Sequence, residues 1–230
     1  MPPTTDGPDP TREPPAEPGW PPPGTLPDGV TARRRDAALA GHRGDEAGAR
    51  QALGDAAPAV RATALGALAR AGRLDLTDVA AALDDPEPEV RARAAELAAF
   101  VGPTAVPVGL RALADRDDRV VEAGCFALGE IGAPAVRAVG ALATVGRDHP
   151  DPLCREAAVA ALGAIGDPAG LSAILAATSD KPAVRRRAVL ALAPFDGPEV
   201  DAALERALSD RDWQVRQAAE DLGVGRSRRD

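Results

Sequence analysis

Aromatic residues are nearly missing from this chain. Three Phe, two Trp and no Tyr make up 2% of 230 residues, although 45% of the sequence is apolar. The apolar mass is therefore mostly Ala, Val and Leu, and Ala and Leu are compact, strong helix formers. A β-sandwich or barrel draws on aromatic and β-branched residues, so the shortage argues for helix. Lysine is scarcer still, with Lys181 alone among 27 basic residues. The formal net charge is −8. Such a field opposes nonspecific attraction to nucleic acid and anionic lipid, which depends on clustered Lys and Arg. Neither is expected as a partner.

Cysteine is equally sparse. Cys125 and Cys154 are too few for a disulfide framework, and their spacing alone gives no zinc-type cluster. No apolar run reaches the 18 residues that a membrane-spanning helix needs. The N-terminus lacks the basic-then-apolar order of a signal peptide. These absences point to a soluble, cytoplasmic chain, with no feature calling for an obligate oligomer.

Proline is abundant, but unevenly so. Eleven of the 23 prolines fall within residues 1–29. Proline fixes φ and lacks an amide donor, so this segment is expected to be a disordered tail with polyproline-II bias. Arg12 to Pro18 fits a loose Pro-x-x-Pro docking pattern, and Trp20 sits beside Pro21 to Pro23; a flexible spacer is the simpler reading of both. A basic stub, residues 225–230, closes the chain.

Between the two ends, 30–224, lies an internal repeat. A Val-Arg pair leading into an Ala-rich apolar run occurs at Val60-Arg61, Val90-Arg91, Val184-Arg185 and Val215-Arg216. Cys154-Arg155 keeps the arginine, and Val120-Val121 keeps the valine. The periods are 30, 30, 34, 30 and 31 residues, a solenoid signature. Each unit reads as two helices. In the fourth, Cys154, Ala158, Ala161, Leu162 and Ile165 share one helix face. Gly166 stops that helix, Asp167-Pro168 starts the next, and Leu171, Ile174 and Leu175 form its apolar face. Two short helices cannot bury their apolar faces alone, so stacked neighbours must share a continuous core. The pattern predicts an all-α, right-handed α-solenoid of about six helical hairpins. Residues 31–53 form a degenerate leading unit and 211–224 a truncated last one.

The string Cys154-Arg-Glu-Ala-Ala-Val-Ala-Ala-Leu-Gly-Ala-Ile-Gly-Asp-Pro168 resembles the short bacterial HEAT repeat, also called the phycobilisome-lyase HEAT-like repeat. Asp210 to Ala219 resembles its turn and first helix. The resemblance covers about residues 31–224 and implies a scaffold holding another protein along its surface. It also admits bilin lyases or their subunits, DNA glycosylases and a dimetal hydroxylase. The hydroxylase branch holds its irons with His-Glu pairs, yet His42 precedes Arg43 and His149 precedes Pro150. That branch is therefore disfavoured. A glycosylase needs a basic, aromatic-lined face, which this composition does not supply.

The expected function is a non-enzymatic protein-interaction scaffold whose second helices line a groove for a protein or peptide. Arg111, Arg137, Glu205 and Arg206 are the candidate contact residues. A lyase-like enzyme or accessory subunit is the alternative. No catalytic residue, metal ligand or cofactor is expected. The recurrent arginines Arg61, Arg91, Arg155, Arg185 and Arg216 could be an anion stripe. A structural ladder explains them better. Asp55, Asp85 and Asp210 each stand six residues before a repeat arginine, where a carboxylate can pair with the guanidinium on the following helix. Trp213 is expected to pack on the preceding unit. The two cysteines are expected as small core residues. Asp148, His149 and Asp151 lie in the longest turn between units, where helix capping and loop solvation account for them.

Overall fold

The structure, a computed structural model, describes residues 29–227. The expected tail, with Trp20 and the Pro-x-x-Pro match, lies outside the described residues except for Gly29, which opens the first helix. At the other end helix continues to Ser227, into the segment expected to be a stub; residues 228–230 lie outside.

Among the described residues there are thirteen α-helices and no strand. They form six hairpins and a closing single helix. The hairpins are α1 (Gly29–Arg43) with α2 (Glu46–Ala52), α3 (Pro58–Arg70) with α4 (Leu76–Ala82), and α5 (Pro88–Val101) with α6 (Val106–Ala112). Then come α7 (Asp118–Ile131) with α8 (Val139–Asp148), α9 (Pro152–Ile165) with α10 (Leu171–Ala177), and α11 (Pro182–Ala191) with α12 (Pro198–Leu208). Helix α13 (Trp213–Ser227) ends the array. The leading unit is thus a full hairpin despite its degenerate sequence. None of the helices is long and apolar enough to cross a membrane.

Local chemistry sets the boundaries. Proline occupies the first turn of α3, α5, α9, α11 and α12, where its missing N–H would have no helical partner anyway. Inside the fifth hairpin Gly166 adopts φ +70° and ends α9, a left-handed conformation open to glycine at little cost. Asp167 then accepts a hydrogen bond from the Ala169 amide and begins a short 3₁₀ turn into α10.

The first helices of successive hairpins pack directly on one another from α1 through α13, whereas among the second helices only α8 and α10 do so substantially. Small residues stand where these helices meet: Gly41 against Ala67, Gly129 against Ala161 and Gly163 against Ala191. A β-carbon on Gly163 would lie 2.7 Å from the Ala191 Cα, and one on Gly41 2.7 Å from the Ala67 Cα. Backbones therefore meet almost directly in this layer. The first-helix side is the more closely packed of the two, and we term it the inner face. Leu65, Leu68, Leu128, Leu162, Ile174 and Leu192 fill the core between the two layers.

Candidate functional site

Two features of the array use its polar side chains: a ladder of ion pairs in the turns between units and a groove on the inner face.

In the ladder, Arg61 donates through Nε and Nη2 to both carboxylate oxygens of Asp85, at 2.8 and 2.7 Å. Arg91 does the same to Asp115, Arg155 to Asp180 and Arg185 to Asp210. The forked geometry is the strongest that a guanidinium and a carboxylate can adopt. The remaining Nη1 turns back to its own turn. It donates to the carbonyl of Asp55 from Arg61, of Asp85 from Arg91, of His149 from Arg155 and of Asp210 from Arg216. The expected partner is corrected here. The aspartate six residues upstream offers its backbone carbonyl, and the carboxylate comes from the next turn, 24 or 25 residues downstream. Among the described residues Arg216 donates to the carbonyls of Asp210 and Arg211.

Each ladder aspartate also orders its own turn, as Asp115 does by accepting the Asp117 amide at 3.0 Å. Hydrogen bonds from the arginines hold the Asp115, Asp180 and Asp210 carboxyls below the usual carboxylate range. At Asp85 burial works against ionisation, but the Arg61 and Glu87-amide bonds outweigh it and the direction is the same. Three members escaped the sequence pattern. Asp115 precedes Val121 where other units have arginine, and Asp180 stands five residues before Arg185 instead of six. Arg33, which pairs with Asp55 at 2.7 Å, lies in the degenerate leading unit.

The groove, about 580 Å³ in volume, crosses α1, α3, α5 and α7. It is lined by residues one helical turn apart, such as Glu89, Arg93 and Glu96 on α5 and Arg119, Glu122 and Phe126 on α7. Four arginines (Arg34, Arg70, Arg93, Arg119) face three glutamates (Glu89, Glu96, Glu122), a slightly basic balance in a chain of charge −8. Gly66 forms part of the wall, and its missing side chain admits the Arg93 guanidinium, which lies 2.7 Å from where a β-carbon would be. Arg93 also donates to Glu96 at 2.8 Å, and Arg34 to Thr63 at 3.3 Å. Phe126 is 49% exposed on this wall, and Phe100 continues the α5 stripe at 73% exposed. A smaller depression of about 250 Å³ lies farther along the same layer, lined by Ala160, Arg187, Leu190 and Pro194.

The residues expected to line a groove lie outside this one, and Arg206 borders a separate depression of about 130 Å³. Arg111 on α6 is exposed and donates to Asp84 at 2.7 Å, pairing within the second-helix layer. Arg137 is exposed in the 3₁₀ turn before α8, and Glu205 and Arg206 are exposed on α12. None of the four lines the groove across α1, α3, α5 and α7. Trp213 is also unlike the expectation. At 64% exposed, it stands at the start of α13, where earlier units mostly have proline.

Both cysteines are buried, and burial pushes each thiol up to about 12. In that state neither is an activated nucleophile.

The sequence profile described as HEAT repeats matches residues 76–144 and 141–222. No curated protein matches the sequence at a significant level. Among solved structures, an engineered protein shares 20% identity at a TM-score of 0.59, covering 79% of this chain and 97% of that one. The Escherichia coli protein YibA shares 14% identity at a TM-score of 0.57, covering 84% of this chain and 73% of that one. A designed armadillo repeat protein in complex with the peptide (KR)4 shares 17% identity at 0.54, covering 84% and 98%. These likenesses concern the fold. With the repeat profile spanning more than half of its length on a stack of helical hairpins, the chain belongs to the HEAT-repeat family.

Proposed function

We propose that the chain is a non-enzymatic scaffold that receives a protein or peptide segment along the inner face of its first helices. The observation that carries this reading is the groove across α1, α3, α5 and α7, where an exposed Phe126 stands among arginines and glutamates on a tightly packed wall. A rigid wall with an apolar anchor inside a charged rim is what a binding hot spot requires. The alternation of Arg and Glu suits a segment of mixed charge, since neighbouring carboxylates would repel a purely acidic one. The designed armadillo protein with a similar fold, seen with a (KR)4 peptide, gives a precedent for a segment held on stacked helical repeats. Two buried, free thiols fit a reducing compartment, so the cytoplasm is the proposed location.

The test is capture of partners from native lysate by the full chain and by two variants that leave the core intact. Phe126→Ala removes the anchor, at an expected cost of about 2 kcal/mol or roughly thirtyfold in affinity. Arg206→Glu, on the exposed surface of α12, leaves binding unchanged. Partners retained by Phe126→Ala but lost with Arg206→Glu would move the binding face to the second helices and end this proposal.

A further inference from the structure

The repeat supplies its own internal standard, and one rung departs from it at four positions. The first-helix position held by Pro58, Pro88, Pro152 and Pro182 is Asp118 in α7. Three residues on, the arginine of the other units is Val121. The ladder carboxylate that such an arginine would meet is replaced by His149, whose backbone carbonyl still receives Arg155. The valine before the arginine, at positions 60, 90, 120, 184 and 215, is Cys154 in α9. Four substitutions thus fall on one rung that joins two successive turns, the start of α7 and the α8–α9 turn where the period lengthens to 34 residues.

Three of them bring together donor atoms of different chemistry. A carboxylate oxygen of Asp118, a ring nitrogen of His149 and the sulfur of Cys154 all lie within 4.8 Å of one another. His149 Nε2 stands 3.8 Å from Asp118 Oδ1. The Cys154 thiol donates to the Asp118 backbone carbonyl at 3.2 Å. Asp118 is exposed and opens the cluster to solvent, while Cys154 is buried in the first turn of α9. Loss of the arginine matters as much as gain of the donors, because a guanidinium at 121 would neutralise the site and repel a cation.

We infer that Asp118, His149 and Cys154 form a binding site for a zinc-type divalent cation. Oxygen, nitrogen and sulfur are the ligand set of zinc, whose bonds of about 2.0–2.3 Å place ligands some 3.3–3.7 Å apart, with water completing a three-residue site. Small rotations of the imidazole and the carboxylate close the observed cluster to that size. Binding sends the thiol proton to solvent. Nδ1 now accepts the Asp151 amide at 3.2 Å. Coordination through Nε2 moves the ring proton to Nδ1, and the Asp151 amide gives up that bond. The site bridges two successive turns between units, apart from the inner groove.

The probe is Co²⁺, titrated into chelator-treated, tag-free full-length protein and followed by its thiolate charge-transfer absorption in the near ultraviolet. One cobalt per chain is expected, displaced by zinc. Cys154→Val restores the residue used by the other units and so keeps the fold. It abolishes the charge-transfer band, and His149→Ala weakens binding by at least about tenfold. A folded wild-type protein that gives no thiolate band with Co²⁺ would overturn the assignment. So would a band that survives Cys154→Val, or cobalt affinity unchanged by His149→Ala.

Discussion

Replacing Arg91 by alanine is expected to lower the thermal midpoint by roughly 6–12 °C. Arg91 and Asp115 are among the least exposed partners in the ladder, with side chains 7% and 14% exposed. Removing the guanidinium leaves a carboxylate that keeps the Asp117 amide but loses its counter-charge. The expected cost is about 3 kcal/mol, at the low end for breaking a buried pair. The loss also falls between two units, where a solenoid's stability resides. Arg33, 47% exposed in its pair with Asp55, is the control, and Arg33→Ala moves the midpoint far less. The pairs carry a pH signature. The folded-state values of Asp85, Asp115, Asp180 and Asp210 lie below the ordinary 3.8. Their contribution is therefore whole above that value and is lost as pH falls through the lowered ones. Acid titration of Arg91→Ala should show a shallower loss of stability than the parent. An equal slope in both proteins would mean that the Asp115 pair is not part of the acid response.

The second large effect is a reversal of sign. Glycine to alanine inside a helix ordinarily stabilises by about 1 kcal/mol. At Gly163 the added carbon would meet the Cα and Cβ of Ala191 at 2.7 Å and its carbonyl oxygen at 3.0 Å. Much of that obstacle is backbone, so α9 and α11 must separate. Gly163→Ala is expected to destabilise by about 1–3 kcal/mol through overpacking. Gly140 in α8 has nothing within 4 Å of the same added carbon. Gly140→Ala should stabilise by about 0.5–1 kcal/mol. Urea midpoints of the two variants decide the matter. Stabilisation by both would show that the first helices are not in backbone contact at Gly163.

Those two glycines also show what the sequence reveals and what it conceals. The hairpins were legible because the repeat announces itself through the Val-Arg pair, the apolar helix face that follows it and the glycine between helices. Ladder membership was partly legible, since Arg61, Arg91, Arg155 and Arg185 recur with the period. Their partners were not, because the eye pairs Arg61 with Asp55 in the same turn while the fold brings Asp85 beside it. The groove across the first helices was not foreseen for a related reason. Both helices of a unit are rich in alanine, and which layer closes up depends on small residues such as Gly41, Gly129 and Gly163 at the contacts. That cue was present in the sequence, but it acquires meaning only when the first helices are laid side by side. His149 and Cys154 were visible as separate oddities. Their conjunction with Asp118, 31 residues before His149, needed the stacked turns.

The unequal closeness of the two layers has a mechanical consequence. The first-helix layer is held at backbone contact, so its arc length is nearly inextensible. The second helices are mostly seven residues long and, apart from α8 and α10, only lightly joined to one another. Bending such a stack changes the outer arc while the inner one keeps its length, as in a strip hinged along one edge. Any bending of the stack is therefore expected to fall on the second-helix side and to leave the spacing between Arg93, Glu122 and Phe126 unchanged. A segment lying in the groove would meet a ruler of constant graduation on a frame of variable bend.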